Sequence, residues 1–291
     1  MQRRLIVAAA TVMCLWQVAL PQVVNRGNLR VNVSARVTLV DTILRYQYGI
    51  ANSVNSQQML DAFYLEVGDL RETKGGTIQG FVQPEGWEAW MLNAAFQPSD
   101  QNAKDIVLWY TDDSLANEAD LMIPARSAIA SGGSLEVSFS SKGLPSLKRF
   151  LARGWARPLT EQEYDSLLSI GFREEDIQKR WDEDGYKGNI VSPQLPPQPF
   201  VATMFLDMIT GYTTQSHSLG WIKDQPTADK YLSYFSSART KLVQGDSVGA
   251  RTPLQQVLRD VDIDRIANLT SEAYALLRYN TEYLISTLPQ R

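Results

Sequence analysis

Apolar and polar residues alternate along residues 29–154, which is the pattern of strands that bury one face. The clearest run places Val31, Val33, Ala35, Val37 and Leu39 on one side of a strand. Glycine-, asparagine- and proline-containing turns separate the runs. The pattern predicts an antiparallel β-sandwich over residues 28–156. Its further strands are expected at 44–50, 59–67, 77–83, 87–96, 106–111 and 135–139.

Helical spacing replaces this alternation at residues 159–181, where Thr160 and Glu163 have the spacing of a capping box. Four prolines then fall within residues 192–199, which favours a stiff, extended chain and disfavours a helix or an inner strand. We therefore assign residues 157–200 to a helical segment and a proline-rich linker.

The remaining residues, 201–291, have helical periodicity interrupted by short connections. Short connections make successive helices antiparallel neighbours, so we expect a bundle of three or four helices. The predicted fold class is α+β and multidomain: an N-terminal antiparallel β-sandwich followed by this C-terminal bundle.

The N-terminus has the parts of a secretory signal, namely Arg3 and Arg4 followed by an apolar stretch at residues 5–20. We predict a signal peptide over residues 1–22, and hence a secreted or cell-surface location that involves the membrane only before cleavage. The single cysteine, Cys14, lies inside this segment, so a cleaved protein would form no disulfide.

The formal net charge is -4 and no lysine- or arginine-rich run is present. Nucleic-acid binding needs a concentrated basic surface, so we exclude nucleic acid as a partner. The expected partner is a protein or a glycan at the cell exterior.

The C-terminal third resembles the FIMAH-like helical modules that end many secreted bacterial surface proteins. The similarity lies in LGWI at 219–222, ARTKL at 238–242, ARTPL at 250–254 and, most specifically, LTSEAYALLRYN at 269–280. GYKGNIVSP at 185–193 is similar to the joint that precedes such modules. The resemblance implies a non-enzymatic appendage on an exported protein.

Catalytic motifs are missing from the sequence. His217 is the only histidine, which excludes the usual histidine-dependent triads and multi-histidine zinc sites. Carboxylates cluster at 174–176 and 182–184, and a glycoside hydrolase would need two of them across one cleft. Adjacent acids on a polar helix favour a solvated surface instead, so we predict that the chain is not an enzyme and keep a carboxylate-based hydrolase as the least favoured alternative.

Alternating acids at Asp260, Asp262 and Asp264 suggest a calcium site, with a plain acidic loop as the simpler interpretation. An EF-hand loop would need glycine at Arg265 and glutamate at Ser271, so that motif fails twice. No other cofactor is indicated.

Strand aromatics are the remaining candidates for ligand binding: Trp87, Trp90, Trp109 and Tyr110. Exposed rings stack on sugars, whereas buried rings fill a core. Trp87 and Trp90 are three residues apart, and Trp109 and Tyr110 are neighbours, so each pair should point to opposite faces of a strand. At least one ring of each pair is then expected in the core.

These observations favour a non-enzymatic, exported surface or extracellular protein, whose sandwich serves binding or display and whose helical module is a spacer or attachment piece. A carbohydrate-binding module that uses the strand tryptophans is the first alternative. A calcium-dependent structural module is the second.

Overall fold

The computed structural model describes residues 28–68, 78–92, 105–111, 125–155, 160–175 and 185–290. The predicted signal peptide with Cys14, and the acidic cluster at 182–184, lie outside this part of the chain. The strands, in chain order, are β1 Val31–Val40, β2 Ile43–Asn52, β3 Leu60–Glu66, β4 Ile78–Val82, β5 Trp87–Leu92, β6 Ile106–Thr111, β7 Ser134–Ser141, β8 Leu144–Gly154 and β9 Tyr186–Gln194. The helices are α1 Glu161–Ser169, α2 Ala202–Ser218, α3 Gln225–Val243, α4 Ser247–Asp264 and α5 Ser271–Thr287.

The strands form two antiparallel sheets. One has the order β1-β2-β7-β4 and the other has the order β5-β6-β3-β8-β9. Strand β2 shows why the alternating pattern folds this way, because Leu44, Tyr46, Tyr48 and Ile50 are all buried while the residues between them are not. The prediction of many short antiparallel strands before a C-terminal set of helices is confirmed.

Buried side chains from both sheets belong to one hydrophobic cluster. Tyr48 of the four-stranded sheet lies 6.1 Å from Trp109 and 6.4 Å from Phe63 of the five-stranded sheet, measured between ring centroids. Phe139, also of the four-stranded sheet, stacks on Trp109 with ring centroids 5.9 Å apart. We refer to the sides of the sheets that carry these rings as the inner faces and to the opposite sides as the outer faces.

The proline-rich segment differs from its prediction, because its first residues belong to strand β9 rather than to a linker. Pro193 of β9 pairs in register with Pro145 of β8. Proline has no N–H to donate, and an edge strand such as β9 needs hydrogen bonds on one side only. The edge position therefore accommodates a sequence that could not form an inner strand.

The helices begin at side-chain caps that the sequence supplies. Thr160 and Glu163 form the predicted capping box of α1, and Asp224, Asp246 and Thr270 cap α3, α4 and α5. Helices α2 to α5 each contact the next, and α2 also contacts α5, so the C-terminal set contains four helices. Within the described residues, no helix is both long enough and apolar enough to cross a membrane.

Helix α5 packs directly against both sheets. The carboxylate of Glu272 accepts a buried 2.7 Å hydrogen bond from the backbone N–H of Ala35 in β1. The Tyr279 hydroxyl donates to the Val37 carbonyl at 3.2 Å, and the Asn280 amide donates to the Pro145 carbonyl of β8 at 2.8 Å. Because β1 is an edge strand, the bonds from Glu272 and Tyr279 satisfy backbone groups that would otherwise be open to strand addition.

Candidate functional site

Two of the four predicted ligand-binding rings lie on the inner face. Trp109 is fully buried, and Trp87 is 4% exposed and donates its indole N–H to the Ser127 carbonyl at 2.9 Å. These two tryptophans contribute to the core, so they are not available to a ligand. The expected opposite orientation within each pair is confirmed.

The other two rings, Trp90 and Tyr110, lie on the outer face of the five-stranded sheet. The Trp90 side chain is 56% exposed, which is far more than any core ring. Its indole N–H donates to Oε2 of Glu88 at 3.0 Å, and the Tyr110 hydroxyl donates to the same oxygen at 2.6 Å. Glu88 therefore joins the two outer rings and fixes their polar edges.

Strand register extends this site beyond the residues that the sequence singled out. Trp90 pairs with Leu108, Leu108 pairs with Tyr64, and Tyr64 pairs with Leu151, so the four side chains form one row across β5, β6, β3 and β8. All of them except Trp90 are half-buried. The parity of β3 could have identified Tyr64, since Phe63 and Leu65 on either side of it are buried.

A second polar group flanks the row at Tyr64. The Arg153 guanidinium donates to the Tyr64 hydroxyl at 3.1 Å and lies 5.9 Å from the centroid of the Tyr64 ring. Cation–π contact and the hydrogen bond together hold the ring in one orientation. We define the aromatic face by these seven residues: Tyr64, Glu88, Trp90, Leu108, Tyr110, Leu151 and Arg153.

The aromatic face combines flat rings with a carboxylate and a guanidinium at their edges. Neighbouring strands lie about 4.8 Å apart, so Trp90 and Tyr64, two strands apart, stand about 10 Å from one another. That separation corresponds to alternate rings of an extended glycan chain. The aliphatic C–H faces of sugars stack on aromatic rings, while their hydroxyls both donate to carboxylates and accept from guanidinium groups.

The predicted calcium residues do not form a loop, because all three lie in the last two turns of helix α4. Asp264 accepts hydrogen bonds of 2.6 Å from both Lys230 and the Tyr231 hydroxyl. These bonds connect helix α4 to helix α3. Burial, and after it the hydrogen bond to the Asp264 carboxylate, raises the pKa of Tyr231 well above its usual value.

The other two aspartates point to different partners. Asp260 accepts from the Tyr234 hydroxyl at 2.9 Å, and Asp262 accepts from Tyr274 at 3.0 Å and from Arg278 at 2.9 Å. Residues two apart on a helix are separated by more than half a turn, so Asp262 points away from the other two. Asp260 and Asp264 are four residues apart and lie on one face, where the Lys230 ammonium is 3.8 Å and 2.6 Å from them and occupies the place that a cation would take. Across the described ranges, no group of three or more His, Cys, Asp or Glu side chains has the proximity of a metal site.

The remaining candidates for chemistry are dispersed. Glu174 and Glu175 are exposed, and Glu175 lies 3.9 Å from the exposed Arg173. His217 is in the last turn of α2. No protein-family model matches the chain, and no curated protein sequence matches it.

Proposed function

We propose that the chain is an exported, non-enzymatic binding protein, in which the two sheets form a β-sandwich that holds glycans at the aromatic face. The observation that carries the proposal is the half-exposed ring of Trp90, fixed by Glu88 and in one row with Tyr64. An exposed indole in one row with a second ring offers a flat apolar surface on which the C–H face of a sugar can stack.

The sequence supports the cellular part of this proposal. The predicted signal at 1–22 and the resemblance of residues 269–280 to modules of secreted surface proteins both favour the cell exterior. Detecting the protein in the cytoplasm of its native host with residues 1–22 still attached would contradict export.

The helical module is proposed as the spacer or attachment piece of this protein. Helix α5 contributes Ala275 and Leu276 to the hydrophobic cluster that the sheets share, and α2 contributes Tyr212. A chain cut near residue 199 would expose this cluster, so binding experiments require the sheets and the helices together.

Binding is tested by mixing the full mature chain with a panel of insoluble neutral polysaccharides and measuring the protein that remains in solution. We expect wild type to bind at least one β-linked glucan, xylan or mannan, and both Trp90→Ala and Tyr64→Ala to bind less. Met204→Ala is the matched control, because Met204 is 67% exposed on helix α2.

Stacking of a nucleic-acid base on one aromatic ring is worth about 1–3 kcal/mol, and with a similar contribution from a stacked sugar, loss of the Trp90 ring should weaken binding about tenfold or more. A panel that contains no binder contradicts the proposal. The proposal is also contradicted if Trp90→Ala binds the polysaccharide as well as the control variant Met204→Ala does.

A further inference from the structure

The outer face of the four-stranded sheet carries a polar groove that is separate from the aromatic face. A cleft of about 500 Å³ and an adjoining one of about 270 Å³ share Ser34, Gly49 and Glu136, so they form one continuous depression. We call it the arginine groove and define it by Ser34, Arg36, Arg45, Gln47, Gly49 and Glu136.

Strand register brings the two arginines to one end of the groove. Arg36 of β1 pairs with Gln47 of β2, and Arg45 lies two residues before Gln47 on the same face of β2. Arg45 donates to the Ser138 hydroxyl of β7 at 3.3 Å. The two guanidinium groups therefore occupy adjacent rows of adjacent strands.

Neither arginine is neutralised within the described part of the chain, where no carboxylate lies within ion-pair distance of Arg36 or Arg45. Arg149, on the outer face of the other sheet, instead pairs with Glu66 at 2.8 Å. Two uncompensated guanidinium groups on a protein of net charge -4 create a local site for an anion.

The middle of the groove, where the two clefts meet, has different chemistry from the arginine end. Glu136 lies there, in register with Gly49 and, through it, with Ser34. A carboxylate and a serine hydroxyl accept hydrogen bonds from ligand hydroxyls, whereas the arginines bind a ligand carboxylate. A ligand with an acid at one end and hydroxyls at the other matches this polarity.

The floor of the groove is flat at its centre because Gly49 has no side chain. A Cβ atom at this position would lie 3.1 Å from the Ser34 hydroxyl oxygen. The floor strands β1 and β2 already pair with each other through their backbones, and Glu272 and Tyr279 cover backbone groups at the β1 edge. Side chains must therefore recognise the ligand, which disfavours a peptide that adds as a strand.

We propose that the arginine groove binds a carboxylate-bearing oligosaccharide, with a uronic-acid carboxylate on Arg36 and Arg45 and the sugar hydroxyls toward Glu136. The groove is a second site, on the other sheet, and binding there does not require the aromatic face. Arginine and carboxylate form bidentate, charge-assisted hydrogen bonds, which is the reason for the assignment of the acid to this end.

The test is a calorimetric titration of the full mature chain with oligogalacturonate at low salt. We expect saturable binding that weakens as the ionic strength rises. Arg36→Ala/Arg45→Ala should weaken it by about tenfold or more, because hydrogen bonds to charged groups contribute about 1.5–3 kcal/mol.

Two further variants separate a built site from general charge. Lys223→Ala/Arg259→Ala removes the same charge from the helical module and should leave the affinity unchanged. Gly49→Val fills the floor without any change in charge and should abolish binding, with thermal unfolding as the check that the variant remains folded.

Each of several results would overturn the proposal. These are the absence of oligogalacturonate binding, equal losses in the groove and control double variants, full binding by a folded Gly49→Val variant, and equally tight binding of polyglutamate. If Trp90→Ala weakened oligogalacturonate binding and the groove variants did not, the acidic ligand would bind at the aromatic face, which would also reject the groove.

Discussion

Trp109 and Trp90 lie on neighbouring strands of one sheet, yet their surroundings are opposite. Trp109 contacts Tyr48, Phe63 and Phe139 and is fully buried, whereas Trp90 is 56% exposed and contacts the carboxylate of Glu88. The parity of each residue along its strand, rather than its type, separates them. The inner face should therefore determine stability and the outer face should determine binding.

The largest effect should come from the inner ring. Trp109→Ala removes a fully buried indole, and comparable substitutions cost about 3–5 kcal/mol of unfolding free energy. Urea denaturation followed by circular dichroism measures the loss. Trp109→Phe is the matched control and should cost less, because the indole N–H has no hydrogen-bond partner in the described structure. If Trp109→Ala lost less unfolding free energy than Trp90→Ala, the distinction between the inner and outer faces would be wrong.

A smaller effect should come from the bond that joins helix α5 to the first sheet. Glu272→Ala leaves the buried Ala35 N–H without its acceptor, so we expect a loss of about 1.5–3 kcal/mol in the same denaturation experiment. Glu272→Gln retains an acceptor and should lose less. Glu282→Ala, on the same helix but 49% exposed, should change stability little. Equal losses for Glu272→Ala and Glu282→Ala would show that α5 is not part of the folded core.

The smallest effect, counted per residue and per pH unit, comes from the buried tyrosines of the hydrophobic cluster that the sheets share. Burial raises the pKa of Tyr46 and Tyr48 well above the usual 10.0, and burial raises the pKa of Tyr212 to about 12. Their contribution to stability is complete below pH 10 and decreases as the pH rises, because the unfolded chain ionises first. Each such tyrosine lowers the unfolding free energy by about 1.4 kcal/mol per pH unit in this range.

Tyr46→Phe removes one of these ionisations, so unfolding free energy should fall less steeply between pH 10 and 12 than in wild type. The variant loses the 2.8 Å hydrogen bond to the Gly143 carbonyl at every pH, which shifts the curve without changing its slope. If unfolding free energy fell equally steeply with pH in wild type and Tyr46→Phe, the raised pKa of Tyr46 would be contradicted.

Local patterns predicted much of this structure. Alternation located the strands, and the spacing of Thr160 and Glu163 located a helix start, because both depend on neighbours in the chain. The same alternation predicted that Trp87 and Trp90 face opposite ways, although it left open which of them is buried.

Long-range contacts explain what the sequence did not reveal. Glu272 and Ala35 are 237 residues apart, so no local pattern indicates that α5 covers β1. Strand β9 was hidden because a proline-rich segment begins inside it, and its one proline, Pro193, is tolerated at the edge of the sheet. Asp260, Asp262 and Asp264 resembled a loop motif, but they lie in a helix that turns Asp262 away from the other two. Strand parity indicates the outer face for Tyr64, but only the pairing of β3 with β6 and of β6 with β5 places it in one row with Trp90.

The most direct test of the aromatic face is a calorimetric titration of wild type, Trp90→Phe and Trp90→Ala with a soluble oligosaccharide. The oligosaccharide is a fragment of the neutral polysaccharide that binds the wild-type protein in the panel. We predict decreasing affinity in that order, with about a tenfold or greater loss for Trp90→Ala and unchanged thermal unfolding. Equal affinities for the three proteins would show that the exposed tryptophan does not bind the glycan, and would contradict the proposed function of this face.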